Sequence, residues 1–242
     1  MRQMQNSPHS PGLIPKIINI LYPSICPSCM KETDSLRTAP FCFSCWSGIE
    51  KFTGPSCHIC ATPFTSEDAV ICSECIGKPP YFSKAMSFGL YDGILAAALH
   101  FFKFHRIKRL HRPLGEFLVD FDLSGIDAVM PVPLTIKGLR ERGFNQSLLL
   151  AKAVSDRKKI PLIMDGLVKK TETAPQIGLS KKERRLNLKN AFRTTRTFPG
   201  MKILLVDDVM TTGSTTNECS KELLRAGAAS TTVLTLARAG YL

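Results

Sequence analysis

A chain of 242 residues with a formal net charge of +12 has room for one sizeable domain and a smaller one. No apolar run is long enough to cross a bilayer as a helix, and the first 15 residues carry prolines and polar residues where a secretory leader would need an apolar stretch. The charge is uneven: residues 1–80 hold six Lys/Arg against six Asp/Glu, while residues 81–242 hold 26 against 14 and so carry the whole excess. A field of that sign on the second part attracts polyanions, nucleotides and nucleic acid among them.

In chain order, residues 1–15 read as a flexible start and residues 16–80 as a cysteine module closed by a joint at Pro79-Pro80. Eight cysteines form four Cys-x-x-Cys pairs, Cys26/Cys29, Cys42/Cys45, Cys57/Cys60 and Cys72/Cys75, with 12, 11 and 11 residues between successive pairs. Each pair offers two thiolates to a tetrahedral zinc ion and two pairs close a structural site, so eight ligands imply two Zn2+. Disulfides, iron–sulfur clusters and redox pairs are the rivals. A cytosolic setting disfavours disulfides, and regularly spaced knuckles fit zinc better than a single redox pair does. Residues 26–46 and 57–76 read as an internal repeat, with Phe41 and Trp46 flanking the second knuckle of one copy and Ile71 and Ile76 that of the other. Pairing neighbours closes shorter loops. That assigns Cys26, Cys29, Cys42 and Cys45 to one ion and Cys57, Cys60, Cys72 and Cys75 to the other, with an interleaved cross-brace as the alternative. His58 reads as a bystander. A module this small depends on its metal for folding free energy.

Residues 81–242 alternate strand and helix patterns. Tyr81–Tyr91 reads as an extended strand pair or a connection. Asp92–Lys103 reads as a helix capped by Asp92, with Ile94, Leu95, Ala98, Leu99 and Phe102 on one face. A basic segment with Lys103, Arg106, Lys108, Arg109 and Arg112 follows, then a short helix over Pro113–Phe121. Ala128–Val132 is a strand, and Lys137, Arg140 and Arg142 come just after its end, where Arg and Lys can hold a pyrophosphate. Gly143–Ser155 reads as a helix, and residues 165–198 yield no clear element. Ile203–Val209, short and β-branched, suits a strand buried on both faces. Thr215–Ala226 is its following helix, Gly227 the stop and Thr231–Ala237 the last strand. Cys219 reads as a small core residue. This order points to an α/β domain with a parallel sheet.

Asp207 and Asp208 lie at the carboxyl end of the 203–209 strand, where open parallel sheets bind ligands. Behind them Thr211, Thr212, Gly213, Ser214 and Thr215 offer N–H groups, hydroxyls and a helix N-terminus to an anion. An ATPase Walker B strand and a Rossmann unit are rival readings, but each needs a glycine motif that this chain lacks. The plain alternative is an ordinary helix capped by Ser214 or Thr215. The run Val-Asp-Asp-Val-x-Thr-Thr-Gly-x-Thr resembles the phosphoribosyl pyrophosphate (PRPP) motif of type I phosphoribosyltransferases. The run Arg140 to Gln146, Arg-Glu-Arg-Gly-Phe-Asn-Gln, is similar to a signature of ComF-family proteins, the competence-associated branch of phosphoribosyltransferase-like proteins. Gln176, Leu179, Arg184, Arg185, Asn187 and Phe192 resemble a further stretch of that family.

The resemblance implies a type I phosphoribosyltransferase-like α/β fold, a parallel sheet flanked by helices and preceded by a small zinc-ribbon module. It implies that Asp207 and Asp208 hold the ribose hydroxyls, that Val209, Met210 and the 211–215 loop surround the 5′-phosphate, and that Lys103, Lys137 and Arg140 meet the pyrophosphate together with Mg2+. Residues around 176–192 would then correspond to a loop that closes over bound PRPP and excludes water; a solvated helix over Lys181–Arg196 is the alternative. It also implies a cytoplasmic location, no membrane insertion and a role in handling incoming single-stranded DNA, with a competence helicase or other DNA-uptake proteins as partners.

Two functional readings follow. As an enzyme, the chain would use Asp207, Asp208 and Lys137 in catalysis, the two carboxylates favouring positive charge on the anomeric carbon in the transition state. No residue identifies a base, so the acceptor stays open. As a binding protein, it would grip single-stranded DNA through Arg106, Lys108, Arg109, Arg142, Arg184 and Arg185, with Phe101, Phe102, Phe104 and Phe144 as stacking rings or, alternatively, as core. PRPP binding with DNA handling as its purpose is the favoured reading.

Overall fold

The computed structural model describes residues 25–66, 68–170 and 190–240. The expected flexible start and Gln176, Leu179, Arg184, Arg185 and Asn187 lie outside them. The chain divides into two compact units, residues 1–49 and 50–242, a division that falls inside the cysteine-rich residues 16–80.

In the smaller unit the first knuckle is a tight turn: the Met30 N–H donates to the Cys26 carbonyl at 2.9 Å and the Cys26 N–H to the Lys31 carbonyl at 2.8 Å. Helix α1 (Phe43–Ser47) follows, with Cys42 at its cap. Phe41 and Trp46 are buried here, their rings 6.2 Å apart. The larger unit repeats the backbone, with Ala61 N–H on the Cys57 carbonyl at 2.8 Å and Cys57 N–H on the Thr62 carbonyl at 2.8 Å. Helix α2 (Ser73–Gly77) is again preceded by a cysteine cap, Cys72. The internal repeat is therefore structural, but its apolar positions differ. Ile71 and Ile76 are exposed, and Cys57, Cys60 and Cys75 instead join a core that includes Phe82, Ala85 and Cys219. One ribbon closes over its own aromatic pair; the other leans on the α/β core.

The rest of the larger unit runs β1 (Lys84–Leu90), α3 (Gly93–Phe104), a 3-10 turn (Lys108–Leu110), α4 (His111–Glu116), β2 (Ala128–Pro131), α5 (Ile136–Arg142) and α6 (Gln146–Lys158). Then come β3 (Leu167–Lys169), β4 (Phe192–Thr194), β5 (Lys202–Met210), α7 (Ser214–Arg225) and β6 (Ser230–Arg238). Four strands form one parallel sheet in the order β1-β6-β5-β2, and β3 and β4 pair antiparallel apart from it. Tyr81–Tyr91 thus supplies one edge strand.

Strand β5 has a neighbour on each side, and Ile203, Leu204, Leu205 and Val206 are all fully buried, as expected of a strand covered on both faces. Ile203 and Leu205 share a core with Cys219 and Leu223 of α7. On alternate positions Leu204 and Val206 point the other way, where α6 packs on β2 and β5 and α4 packs on α6. Cys219 is fully buried, as read from the sequence.

Local signals explain where the elements depart from expectation. Residues 136–142 form a helix of their own, because the Thr135 hydroxyl accepts the Gly138 N–H at 3.0 Å and Gly143, at φ 79°, ends the helix. The expected Gly143–Ser155 helix accordingly starts at Gln146, where the Asn145 side chain accepts the Leu148 N–H at 3.3 Å. Pro113 sits in the first turn of α4, where its missing N–H costs nothing. Among the described residues no helix is long and apolar enough to cross a membrane.

Truncating Leu204 to Ala should destabilise the larger unit by about 3 kcal/mol. Urea unfolding of the full chain would record this as a lower midpoint; an unmoved midpoint would contradict burial of β5 on both faces.

Candidate functional site

Strand β2 ends with Pro131 opposite Val206, so Asp207 and Asp208 project one step beyond it at the carboxyl rim of the sheet. Two helices converge on them. From the last turn of α3, Lys103 Nζ lies 2.8 Å from Asp208 Oδ1, which also accepts the Val209 N–H at 2.7 Å. From the first turn of α6, the Ser147 hydroxyl donates to Asp207 Oδ1 at 2.8 Å, and the Asp208 N–H meets the same oxygen at 2.9 Å. The Asn145 amide donates to the Val132 carbonyl at 3.1 Å and so pins the start of α6 to the end of β2. Burial, and then the charge of Asp208, push the Asp207 carboxyl up to about 7 against the opposing pull of Lys103 and Ser147.

Directly behind the acids the chain bends at Gly213, whose φ of 73° lies in the left-handed region. A Cβ there would also stand 2.5 Å from Met210 Cε. The Thr212 and Ser214 hydroxyls lie 2.8 Å apart, and Thr212 Oγ1 accepts the Ser214 N–H at 3.3 Å. Helix α7 then begins, and its first N–H groups precede any intrahelical acceptor, at the positive end of the helix dipole. A cleft of about 620 Å³ borders this bend, walled by Thr212, Gly213 and Ser214 on one side and by Cys60, Cys75 and Lys78 on another. Asp207 and Asp208 are not among its walls.

Of the cations expected at the site, Lys103 is brought onto the acid pair, whereas Lys137 and Arg140 stand exposed on α5. Arg106 donates through Nη2 to the Glu141 carbonyl and ties the loop after α3 to α5. Arg142 donates to Gln146 Oε1 at 3.3 Å, and its guanidinium lies 6.0 Å from the Phe104 ring. Lys108 and Arg109 are exposed on the 3-10 turn, and Arg184 and Arg185 fall outside the described residues. The four phenylalanines divide. Phe102 is fully buried, 5.4 Å from the half-buried Phe144, while Phe104 is 56% exposed. Phe104 sits 4.9 Å from the His100 ring, and Phe101 stacks on His105 at 4.4 Å. Sequence reasoning missed Ser147, His100 and Lys169, a lysine of β3 whose pKa burial lowers. Ser147 stood within the Arg140 to Gln146 neighbourhood, but a serine at a helix start carries no mark of a carboxylate partner.

The cysteines gather in two groups, Cys26, Cys29, Cys42 and Cys45, and Cys57, Cys60, Cys72 and Cys75, the sulfurs of each group all within 4.8 Å of one another. Cys29 and Cys42 Sγ are 3.6 Å apart, as are Cys60 and Cys72 Sγ. Tetrahedral zinc with Zn–S near 2.3 Å spaces its sulfurs by about 3.8 Å, so both groups fit the ion and the neighbouring pairs share a site. His58 is exposed and outside both groups. Burial resists ionisation of Cys26 and Cys57, yet backbone N–H donors hold them at about 6 and about 7. In the same groups hydrogen bonds from Cys29 and Cys42 push Cys45 up to about 12, and burial with Cys60 raises Cys75. Four adjacent thiolates need a cation to coexist, which bound zinc supplies. Metal analysis should find two zinc per chain, and Cys26→Ser or Cys57→Ser should each leave one. Retention of both ions by either variant would remove that cysteine from the ligand set.

Residues 17–76 match the double zinc ribbon domain family. Competence protein F of Haemophilus influenzae is 32% identical over 233 residues, covering 92% of this chain and 93% of that protein. DNA utilization protein YhgH of Escherichia coli O157:H7 is 34% identical over 190 residues, 75% of this chain and 83% of that protein. Among solved structures, the glutamine PRPP amidotransferase of B. subtilis aligns with 52% of this chain and 25% of its own at 21% identity, a loose likeness with a TM-score of 0.37. On the near full-length identity with the Haemophilus protein, the chain belongs to the competence protein F family.

Proposed function

We propose that this protein binds PRPP at the carboxyl end of β5 and serves the handling of single-stranded DNA during DNA uptake. The observation that carries the first half is the Asp207–Asp208 pair standing clear of β2 and followed at once by the Gly213 bend and the start of α7. In this reading the two carboxylates accept hydrogen bonds from the ribose hydroxyls. The Thr211–Thr215 turn and the first N–H groups of α7 receive the 5′-phosphate. Lys103 supplies counter-charge beside the pair, and Lys137 and Arg140 would meet the pyrophosphate, whose charge Mg2+ would offset when bound. Val209 and Met210 set the backbone between acids and bend.

The DNA half draws on the names of the relatives, a competence protein and a DNA utilization protein. It also draws on Arg106, Lys108, Arg109 and Arg142 beside the exposed Phe104 and the Phe101–His105 stack. Cations that track a backbone next to rings that accept bases are what single-strand binding requires. In this reading the protein works in the cytoplasm alongside DNA-uptake proteins. The second reading is an active transferase. Pyrophosphate release from PRPP across a panel of nitrogen acceptors tests it.

Calorimetry with PRPP and Mg2+ should show binding by the native chain and none by the double variant Asp207→Ala/Asp208→Ala; equal binding would remove the ribose clamp. Because the sugar hydroxyls need the ionised Asp207, binding competes with its proton. Affinity should therefore rise from pH 6 to pH 8 through the raised value of about 7, and Asp207→Asn should flatten that rise. Folding stability runs in the opposite sense. The native state holds the Asp207 proton to higher pH than the unfolded chain does, so this group lowers stability as pH climbs from about 4 to about 7, and Asp207→Asn removes the decline.

Single-stranded DNA binding should weaken linearly in a log–log plot against salt. Phe104→Ala should cost about 1–3 kcal/mol with the salt slope unchanged, whereas Arg106→Ala should reduce the slope by about one. A flat salt dependence would dismiss the basic face as the DNA site.

A further inference from the structure

Arg238, the last residue of β6, is only 2% exposed, and its guanidinium spans two parts of the larger unit. On one side Nε donates to the Cys60 carbonyl at 3.0 Å and Nη2 to Thr62 Oγ1 at 2.7 Å. On the other, Nη1 donates to the Met210 carbonyl at 3.0 Å and to the Thr211 carbonyl. The first side is the second cysteine group. Cys60 contributes one of its sulfurs, and Thr62 Oγ1 lies 3.0 Å from that sulfur. The second side is the chain between the acid pair and the Gly213 bend.

Among the described residues no carboxylate forms an ion pair with Arg238. A guanidinium buried without a countercharge is costly. Four thiolates on one zinc ion carry a formal charge of roughly −2. The second cluster lies next to the guanidinium, which reaches it through the Thr62 hydroxyl and the Cys60 carbonyl, so its negative charge would offset that of Arg238. The planar fork of arginine suits this task, since its donors reach both sides at once.

We propose that Arg238 is a positioning residue that couples the second zinc site to the phosphate loop. The thiolate cluster holds the guanidinium in place, and the guanidinium holds the Met210 and Thr211 carbonyls, so the Gly213 bend and the first turn of α7 keep their receiving geometry. Loss of zinc from Cys57, Cys60, Cys72 and Cys75 loosens residues 210–217. By linkage, an anion held by the loop tightens binding of that zinc ion by the same factor as the zinc ion tightens binding of the anion. The consequence for binding rests on the phosphate-loop reading above; the link itself does not.

The experiment is hydrogen exchange by mass spectrometry on the full chain, followed at residues 210–217 with β2 and α6 as internal reference. Arg238→Met, which keeps all eight thiols, should raise exchange at 210–217 about tenfold relative to the reference and speed release of one zinc ion to a chromophoric chelator by a similar factor. Arg238→Lys, a single charge without the fork, should fall between Met and the native chain. Native exchange at 210–217 in Arg238→Met, with native zinc release, overturns the coupling. So does a loss of protection spread evenly over the reference elements, which marks general destabilisation. PRPP with Mg2+, added to the native chain, separates the two readings. Failure to bind while the loop still responds to Arg238→Met removes the PRPP reading and leaves the coupling; binding by a loop indifferent to Arg238→Met does the opposite.

Discussion

A strand paired on both edges and covered on both faces can offer chemistry only at its ends. That constraint on β5 organises the larger unit. Ile203 to Val206 have no surface left, so the acids that follow are the first groups of this strand able to meet a ligand. The short length of β2 matters as much. Because β2 stops opposite Val206, the rim beside Asp207 is left to the start of α6, which enters with Asn145 on the Val132 carbonyl and Ser147 on Asp207. Acid pair, bend and helix start are thus held in place by backbone pairing and by contacts within the protein, the kind of preorganisation that selective recognition needs.

The two cysteine ribbons show how one local sequence pattern can stand on different supports. Their knuckle turns carry the same backbone hydrogen bonds, from Cys26 and Met30 to Cys57 and Ala61, although Cys42 Sγ accepts the Cys45 N–H where Cys72 makes no such bond. Each encloses four sulfurs in the same space. Yet Phe41 and Trp46 fill the first, whereas the corresponding Ile71 and Ile76 stay at the surface and the second is backed by Phe82, Cys219 and the sheet. A four-thiolate zinc site fixes local geometry whatever lies behind it. The second copy therefore holds the same geometry without a small core of its own.

Much of the candidate site was legible because its signals are local. The acid pair after an apolar run, hydroxyls around one glycine, and evenly spaced thiols each act over a few residues, and each stands where the pattern placed it. The partners that complete the site were not legible, because sequence spacing carries no trace of them. Ser147 meets Asp207 across 60 residues and Arg238 meets Cys60 across 178. Helix α5 escaped because its seven residues bury none of their side chains and so show no periodicity. Strands β3 and β4, three residues each, are too short to write an alternating pattern amid the charges of 165–198.

Helix α3 shows how the two halves of the proposed function come to share one element. Leu95, Ala98, Leu99 and Phe102 turn inward and fix the helix against the sheet. With that face committed, the helical period sends Lys103 to the rim, where it meets Asp208, and leaves His100 and Phe104 outside. A base stacked on Phe104 would lie one residue along the chain from the lysine on the acid pair. In that reading a shift of α3 on release of Lys103 from Asp208 would move the Phe104 ring, and a strand bound to the ring would bias Lys103 in turn. In that reading the sugar site and the strand would be linked through one helix, which Arg106 and Arg142 tie to α5 and α6 through the Glu141 carbonyl and Gln146.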